Sequence, residues 1–152
     1  MSVPVTSNSV YESAVIQAPL AKVWHLIKLG EFSKWWSQLA SSGSAPKGVS
    51  EEADVYEWKF NDGTVLHIKQ EEHSSLRHSI SYSVITSEPA LSYSSVISTI
   101  TLSPVTAGEN KDSTFIAWTG AWSSDADAGV VEDGKFKRRE ALADLAKAAA
   151  SA

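Results

Sequence analysis

Residues 18–27 read Ala-Pro-Leu-Ala-Lys-Val-Trp-His-Leu-Ile, and the pair Trp35-Trp36 follows shortly after. The stretch comes directly after an alternating apolar segment from Val10 to Ile16, a pattern typical of a strand. Pro19 suits the first turn of a helix, where its missing N–H costs nothing. Apolar side chains then recur at helical spacing until Gly30, and residues 31–36 predict a second short helix. A strand followed by two short helices indicates a long curved sheet whose concave face needs a cover.

The size and composition of the chain predict one soluble domain. With 152 residues and a hydrophobic fraction of 43%, the chain can bury a substantial core. We expect residues 1–9 to form a flexible N-terminal segment and residues 10–149 to form the domain. There is no cysteine, which excludes disulfides and thiolate chemistry. The net charge of −5, with basic residues scattered apart from one late cluster, argues against a general nucleic-acid binder.

Several functional classes leave no signature in the sequence. No apolar run approaches the roughly 20 residues that cross a bilayer, so we expect no membrane insertion. The first residues lack a basic segment followed by an apolar one, which predicts a cytosolic location. The four histidines show no metal-ligand spacing, and there is no glycine-rich phosphate loop. We therefore expect no metal and no cofactor.

From residue 55 onward the chain alternates in the manner of β-strands. Asn61-Asp62-Gly63 is a strong hairpin signal between two such segments. Further strands are predicted at residues 77–86, 93–102 and 113–122, and the composition of residues 41–46 indicates a loop. The Ser/Thr-rich strand at residues 92–101 is expected to lie at an edge, where a second copy could pair, so the protein is a monomer or a homodimer.

The last part of the chain predicts a long helix. Apolar residues recur every three to four positions after a segment rich in possible N-caps, residues 123–127. Gly134 weakens the first half, so the helix is expected to be best formed from about Lys135. The fold class is therefore α+β, with a curved antiparallel sheet of about seven strands, two short helices after the first strand and a long C-terminal helix.

This order resembles the helix-grip fold of the START and birch-pollen-allergen-like superfamily, and most closely its polyketide cyclase/dehydrase branch, often called SRPBCC. The opening segment Ser13 to Trp24 is similar to that branch's pattern of an isoleucine, an Ala-Pro and a Val-Trp. Other positions match in order along nearly the whole chain: Trp35 or Trp36, Asp62-Gly63, Trp118, Trp122, Leu142 and Leu145.

The resemblance implies a hydrophobic cavity between the concave sheet and the long helix. Members of this superfamily bind lipids, sterols, polyketides or plant hormones, and some are cyclases or aromatases. Many bacterial members carry an arginine on the strand before the hairpin and a glutamate on the strand after it. This chain has Tyr56 and Ile68 at those positions. The departure implies a more apolar cavity without that charged pair.

Aromatic side chains dominate the predicted concave faces, where they either fill a core or line a pocket. Aromatic rings bury a large area, and the polar tips of Tyr and Trp can orient a ligand. Trp24, Trp35 and Trp36 are expected to hold one end of the sheet together. The residues predicted to bind the ligand are Tyr56, Trp58, Phe60, Leu66, Ile68, Ile80, Tyr82, Ile100, Trp118, Trp122 and Leu142.

Few side chains are suited to acid–base chemistry. The candidates are Tyr56, Tyr82, His67 and Glu12. His67 shares its register with polar neighbours and is expected to face solvent, unless a bulge turns it inward. Glu12 would have a raised pKa if it were buried without a partner. The basic cluster early in the last helix predicts either a solvated face or a contact with an acidic ligand group: Lys135, Lys137, Arg138 and Arg139.

Three functions are compatible with the sequence. The first is binding of a hydrophobic small molecule, such as a lipid, polyketide or aromatic metabolite, without catalysis. The second is a metal-free cyclase, dehydratase or aromatase that uses the same cavity to fold a reactive chain. The third is a protein-interaction module whose interior is filled and whose surface binds a partner.

Overall fold

The computed structural model describes residues 8–45 and 54–151, of which Ser151 by its backbone alone. It confirms the predicted α+β helix-grip architecture. The described residues form seven strands, two α-helices and one 3₁₀ helix. In chain order these are β1 (Ser9–Ile16), α1 (Leu20–Leu26), the 3₁₀ helix (Leu29–Lys34), β2 (Leu39–Ser44), β3 (Val55–Phe60), β4 (Val65–Ser74), β5 (Ser79–Glu88), β6 (Val96–Pro104), β7 (Thr114–Trp122) and α2 (Ala128–Ser151).

The strands form one antiparallel sheet in the order β1-β7-β6-β5-β4-β3-β2. Strands β2 to β7 follow one another as a meander, while β1 crosses to pair with β7 at the far edge. Gly63 has a φ of +95° in the β3–β4 hairpin, which explains the Asp-Gly turn signal. Helix α1 and the 3₁₀ helix occupy the connection from β1 to β2, so they lie at one end of the sheet.

Three local predictions were wrong. Residues 39–44 form an edge strand rather than a loop, because β2 obtains its hydrogen bonds from β3 without needing an apolar face. Pro46 lies outside the described residues. Helix α2 begins at Ala128 and not at about Lys135, so it includes Gly134. Its start is capped by the Asp127 carboxylate, which accepts a hydrogen bond from the Val130 N–H. Strand β6 lies between β5 and β7, so the predicted free edge at residues 92–101 is not an edge.

Helix α2 covers the concave face of the sheet and packs most extensively on β1. Its second half presents Leu142, Leu145 and Ala149, all at most 3% exposed, to the main core. The main core fills the end of the molecule beneath α1 and the 3₁₀ helix. A smaller cluster around Trp122 and Val131 lies under the first turns of α2. The two clusters leave room between them, and the candidate site lies there.

Candidate ligand-binding cavity

A cavity of about 550 Å³ lies between the concave sheet and the first half of α2. This volume is within the range of small-molecule sites, about 300–1,000 Å³. Its wall consists mainly of aromatic and aliphatic side chains from β3 to β7, with the residues 87–93 and the start of α2 around the opening. The wall includes Trp36, Trp58, Phe60, Leu66, Ile68, Tyr82, Val84, Leu91, Tyr93, Val96, Ser98, Trp118, Trp122, Val130, Phe136 and Arg138.

One end of the cavity is closed by a cluster of aromatic rings built around Phe32, which the 3₁₀ helix supplies. The Phe32 ring stacks on Trp58 with centroids 4.6 Å apart and meets Trp118 edge-on at 5.8 Å. Trp36 meets Trp118 edge-on at 6.0 Å. Such offset and edge-to-face pairs stabilise the fold beyond their buried area. The cluster therefore gives the cavity a rigid floor.

The indole N–H groups of this cluster are mostly paired. Trp35 donates to the Leu26 carbonyl at 2.7 Å, and Trp58 donates to the Leu29 carbonyl at 2.9 Å. Trp36 differs, because its Nε1 is buried and has no acceptor among the residues the structure describes. Other atoms of Trp36 line the cavity, whereas this nitrogen is shielded from solvent.

Arg138 is the most unusual residue of the cavity wall. It is 8% exposed, although the basic cluster to which it belongs predicted a solvated face as the simplest case. Its Nη2 donates to the Ser98 hydroxyl at 2.7 Å, and its Nη1 donates to the Gly134 carbonyl at 3.0 Å. Its guanidinium carbon lies 5.6 Å from the Trp118 ring centre and 5.1 Å from that of Trp122. Burial lowers the pKa of Arg138, yet a guanidinium stays charged at neutral pH.

Two glycines make room for this arginine. A Cβ at Gly120 would lie 2.5 Å from Nη2 of Arg138, and a Cβ at Gly134 would lie 2.4 Å from the Trp122 ring. Real Cβ atoms essentially never approach so closely. The two glycines, one on β7 and one on α2, therefore allow the guanidinium and the Trp122 ring to occupy the space between the strand and the helix.

Next to Arg138 the wall carries two hydroxyl groups. Tyr82 is buried, and its hydroxyl oxygen accepts a hydrogen bond from the Trp118 indole at 3.1 Å. Burial raises the pKa of Tyr82, against smaller lowering effects from the Arg138 charge and from Ser98. Tyr82 is thus a neutral hydroxyl at physiological pH. Tyr82, Ser98 and Arg138 together form a buried polar patch, which we call the Arg138 patch. The other charged residues of the wall are exposed: Asp62, Asp133, Lys137 and Glu140.

The opening of the cavity lies between the β5–β6 loop, the β3–β4 hairpin and α2. Asp125 fixes the loop by accepting hydrogen bonds from the Ser94 N–H at 2.9 Å and from its hydroxyl at 2.6 Å. The hydrogen bond from the Ser123 hydroxyl, followed by these two from Ser94, lowers the pKa of Asp125 to about 2. Phe136 stands at the opening with 53% of its surface exposed.

The structure brings most of the predicted binding residues together. Seven of the eleven line the cavity: Trp58, Phe60, Leu66, Ile68, Tyr82, Trp118 and Trp122. The other four face the same side of the sheet or helix but belong to the packed parts around it. Ile80 and Ile100 are fully buried in the main core, Leu142 is 3% exposed there, and Tyr56 packs beside Gly30.

Three of the four acid–base candidates do not line the cavity: His67, Glu12 and Tyr56, which packs beside Gly30. His67 is on the outer face of the sheet, hydrogen-bonded to Thr86 at 2.6 Å and to Glu57 at 2.9 Å. A register shift does occur beside it in β4, but its direct pairing with Glu57 keeps it outside. The bond to His67 lowers the pKa of Glu57. Glu12 is on the inner face, where it accepts a hydrogen bond from Arg139 at 2.9 Å.

Tyr82 and Arg138 are the main buried polar residues of the cavity wall, but only Tyr82 was predicted from the sequence to bind the ligand. Tyr82 was a predicted site residue. Arg138 was grouped with a basic cluster, although it is in phase with Leu142 and Leu145 of the apolar stripe. An arginine inside an apolar helical stripe is the signal that could have identified it.

Residues 8–45 and 54–151 contain no group of three or more acidic or histidine side chains placed to hold a metal ion. None of the helices in these ranges is long and apolar enough to cross a membrane.

Comparison with known proteins agrees with this architecture. The family model described as polyketide cyclase / dehydrase and lipid transport matches residues 7–150. A structure from Nitrosospira multiformis is 27% identical, with a TM-score of 0.71 over 91% of this chain and 94% of that one. The protein XoxI from Bacillus cereus is 18% identical, with a TM-score of 0.76 over 92% and 94% of the two chains. A START superfamily protein from Mycobacterium smegmatis is 12% identical, with a TM-score of 0.64 over 92% of each chain. No curated protein matches the sequence.

Proposed function

Because this chain belongs to the polyketide cyclase / dehydrase and lipid transport family, we propose that it binds a hydrophobic small molecule in the cavity beneath α2. The cavity of about 550 Å³, with its mainly aromatic and aliphatic wall, is the main support for this proposal. An unfilled apolar space of this size costs stability, since core packing normally leaves few voids. A ligand that fills it recovers the lost contacts.

The surroundings of the cavity support reversible binding. The floor is a rigid cluster of rings, which fixes the shape of the inner end. The opening has exposed apolar surface at Phe136, so an apolar guest can meet it before entering. A molecule of lipid, polyketide or aromatic character fits this wall best. The open cavity weighs against the hypothesis of a filled interaction module. The cytosolic location, the absence of a nucleic-acid partner and the monomer-or-homodimer state stay predictions.

A neutral fluorescent dye tests this proposal. We expect 1-aminoanthracene to bind the wild-type protein with a blue-shifted, enhanced emission. Leu66→Trp adds a large ring to the cavity wall and should weaken dye binding at least about tenfold by occupying the space. Leu76→Trp adds the same ring at a position 90% exposed and outside the wall, so it should bind the dye as the wild type does. Equal binding by both variants would mean that the dye sits elsewhere.

The Arg138 patch supports a second candidate, a cyclase or dehydratase that acts on a bound chain. The Tyr82 hydroxyl is held neutral by burial and can donate a hydrogen bond to a substrate carbonyl, while Arg138 can stabilise a developing oxyanion. The distinguishing variant is Tyr82→Phe. A catalytic role predicts that it abolishes turnover of an aromatic polyketide mimic while the dye still binds. If wild-type protein converts no such substrate, binding without catalysis is the better description.

A further inference from the structure

The buried charge of Arg138 has no ionic partner within the described part of the chain. No carboxylate of residues 8–45 or 54–151 forms an ion pair with it. Glu12, whose charge does act on Arg138, makes its own ion pair with Arg139. A buried charge without an opposite charge is costly, and proteins normally pair it. Another interaction must therefore offset the cost of burying this charge in the wall of a mainly apolar cavity.

The hydrogen-bond donors of this region are also incompletely used. Arginine carries five N–H donors, and Arg138 directs one to Ser98 and one to Gly134. Its Nε is buried and has no acceptor among the described residues. The indole nitrogen of Trp36, another residue of the cavity wall, is likewise buried without an acceptor. Both nitrogen atoms are shielded from solvent, so the donors left for an occupant of the cavity are the two remaining N–H groups on Nη1 and Nη2 of Arg138.

Stacking between two indole rings explains how the guanidinium is held, but it leaves these donors unused. The sequence also leaves space for the charge, because Cβ atoms at Gly120 and Gly134 would collide with Arg138 or with Trp122 beside it. A neutral apolar residue at position 138 would fill the wall without any of these requirements. The arrangement thus favours a site built to hold a cation in the cavity wall.

The geometry points to an amphipathic carboxylate as the ligand: an apolar chain or ring system in the aromatic part of the cavity, with its carboxylate on Arg138. The planar guanidinium fork matches a carboxylate with two parallel N–H···O bonds. This assignment rests on the proposed binding function and specifies the chemical class of the ligand for the same cavity. It also accounts for the orientation of the guest, because only one end of the molecule carries the charge.

The first test uses the wild-type protein alone. Octanoate, dodecanoate and 2-naphthylacetate are each compared with the matching alcohol as competitors for bound 1-aminoanthracene. A hydrogen-bonded charge pair predicts that the acids displace the dye at concentrations about ten- to a hundredfold below those of the alcohols. Equal potency of acids and alcohols would overturn the assignment while leaving the proposed binding function intact.

The second test removes the charge of Arg138. Arg138→Met removes it and keeps the unbranched stem, so the acid preference, taken as the ratio of acid to alcohol potency within the same variant, should vanish. Lys135→Met changes the net charge by the same amount on the same helix, outside the cavity wall, and should keep the preference. If Arg138→Met fails to fold, Arg138→Lys replaces the fork by a point charge and should reduce the preference. A preference that survives in folded Arg138→Met, or that is undiminished in folded Arg138→Lys, overturns the assignment. Failure of the dye and of every competitor to bind the wild type overturns the binding function itself.

Discussion

Replacing Gly134 by alanine tests the packing that holds Arg138 in place. In an unconstrained helix this change stabilises the protein, because glycine is about 1 kcal/mol less favourable than alanine in a helix interior. Here the new Cβ would lie 2.4 Å and 2.6 Å from two atoms of the Trp122 ring and 3.2 Å from Nη1 of Arg138. Ordinary contact begins at 3.4 Å, so the ring must move by about 1 Å.

Two opposing effects determine how much Gly134→Ala changes the free energy of unfolding. Overpacking in a well-packed region costs about 1–3 kcal/mol. Since the ring and the guanidinium are stacked and share one space, the cost falls in the upper part of that range and exceeds the gain of about 1 kcal/mol in helix propensity. We expect Gly134→Ala to lower the free energy of unfolding by about 1–2 kcal/mol. For a chain of this length, the melting temperature would fall by about 3–6 °C.

Urea unfolding followed by far-UV circular dichroism measures this change without depending on Trp fluorescence. Gly43→Ala on the edge strand β2 is the matched control, because its Cβ would meet no atom within 4 Å. That variant should be as stable as the wild type or more stable by up to about 1 kcal/mol. An increase in stability for Gly134→Ala, of the size seen for a free helical glycine, would refute the account of this packing.

Two other predictions concern the opening and the floor of the cavity. Asp125→Asn should destabilise the protein at neutral pH and flatten its stability between about pH 4 and pH 2. In the folded protein the pKa of Asp125 is lowered to about 2, so its carboxylate stabilises the fold at pH values above the ordinary pKa of an aspartate. This stabilisation is lost as the pH falls through the folded-state pKa. An unchanged pH profile of urea unfolding in Asp125→Asn would contradict this. Trp58→Phe should cost about 2 kcal/mol, because it leaves the buried Leu29 carbonyl without its donor and removes ring volume. A loss below about 0.5 kcal/mol in the same measurement would show that this hydrogen bond does not stabilise the floor.

Most of the sheet could be predicted because its strands have one apolar and one polar face. Trp58 alternates with Glu57 and Lys59 on β3, and the turn at Gly63 requires a conformation that glycine adopts freely. Strand β2 could not be predicted this way. It is an exposed edge rich in serine and glycine, and only its pairing with β3 makes it a strand. Periodicity carries no information about such tertiary pairing.

The candidate site was predicted in part for a related physical reason. The pattern identified which side chains face inward, but inward residues such as Ile80 and Ile100 pack solidly while Leu66 and Tyr82 line a space. The difference depends on how far α2 lies from the sheet at each point. The role of Arg138 depends on neighbours from another element, since the room for it comes from β7 as well as from α2 itself.

The location of the bound molecule shows most directly whether the cavity beneath α2 is the binding site. Intermolecular nuclear Overhauser effects between 1-aminoanthracene and the protein report which side chains touch the dye. Binding in this cavity predicts nuclear Overhauser effects between the dye and Leu66, Tyr82 and Trp118 of the cavity wall. Effects confined to exposed side chains of the outer sheet face, such as Tyr11 and Ile97, would contradict it.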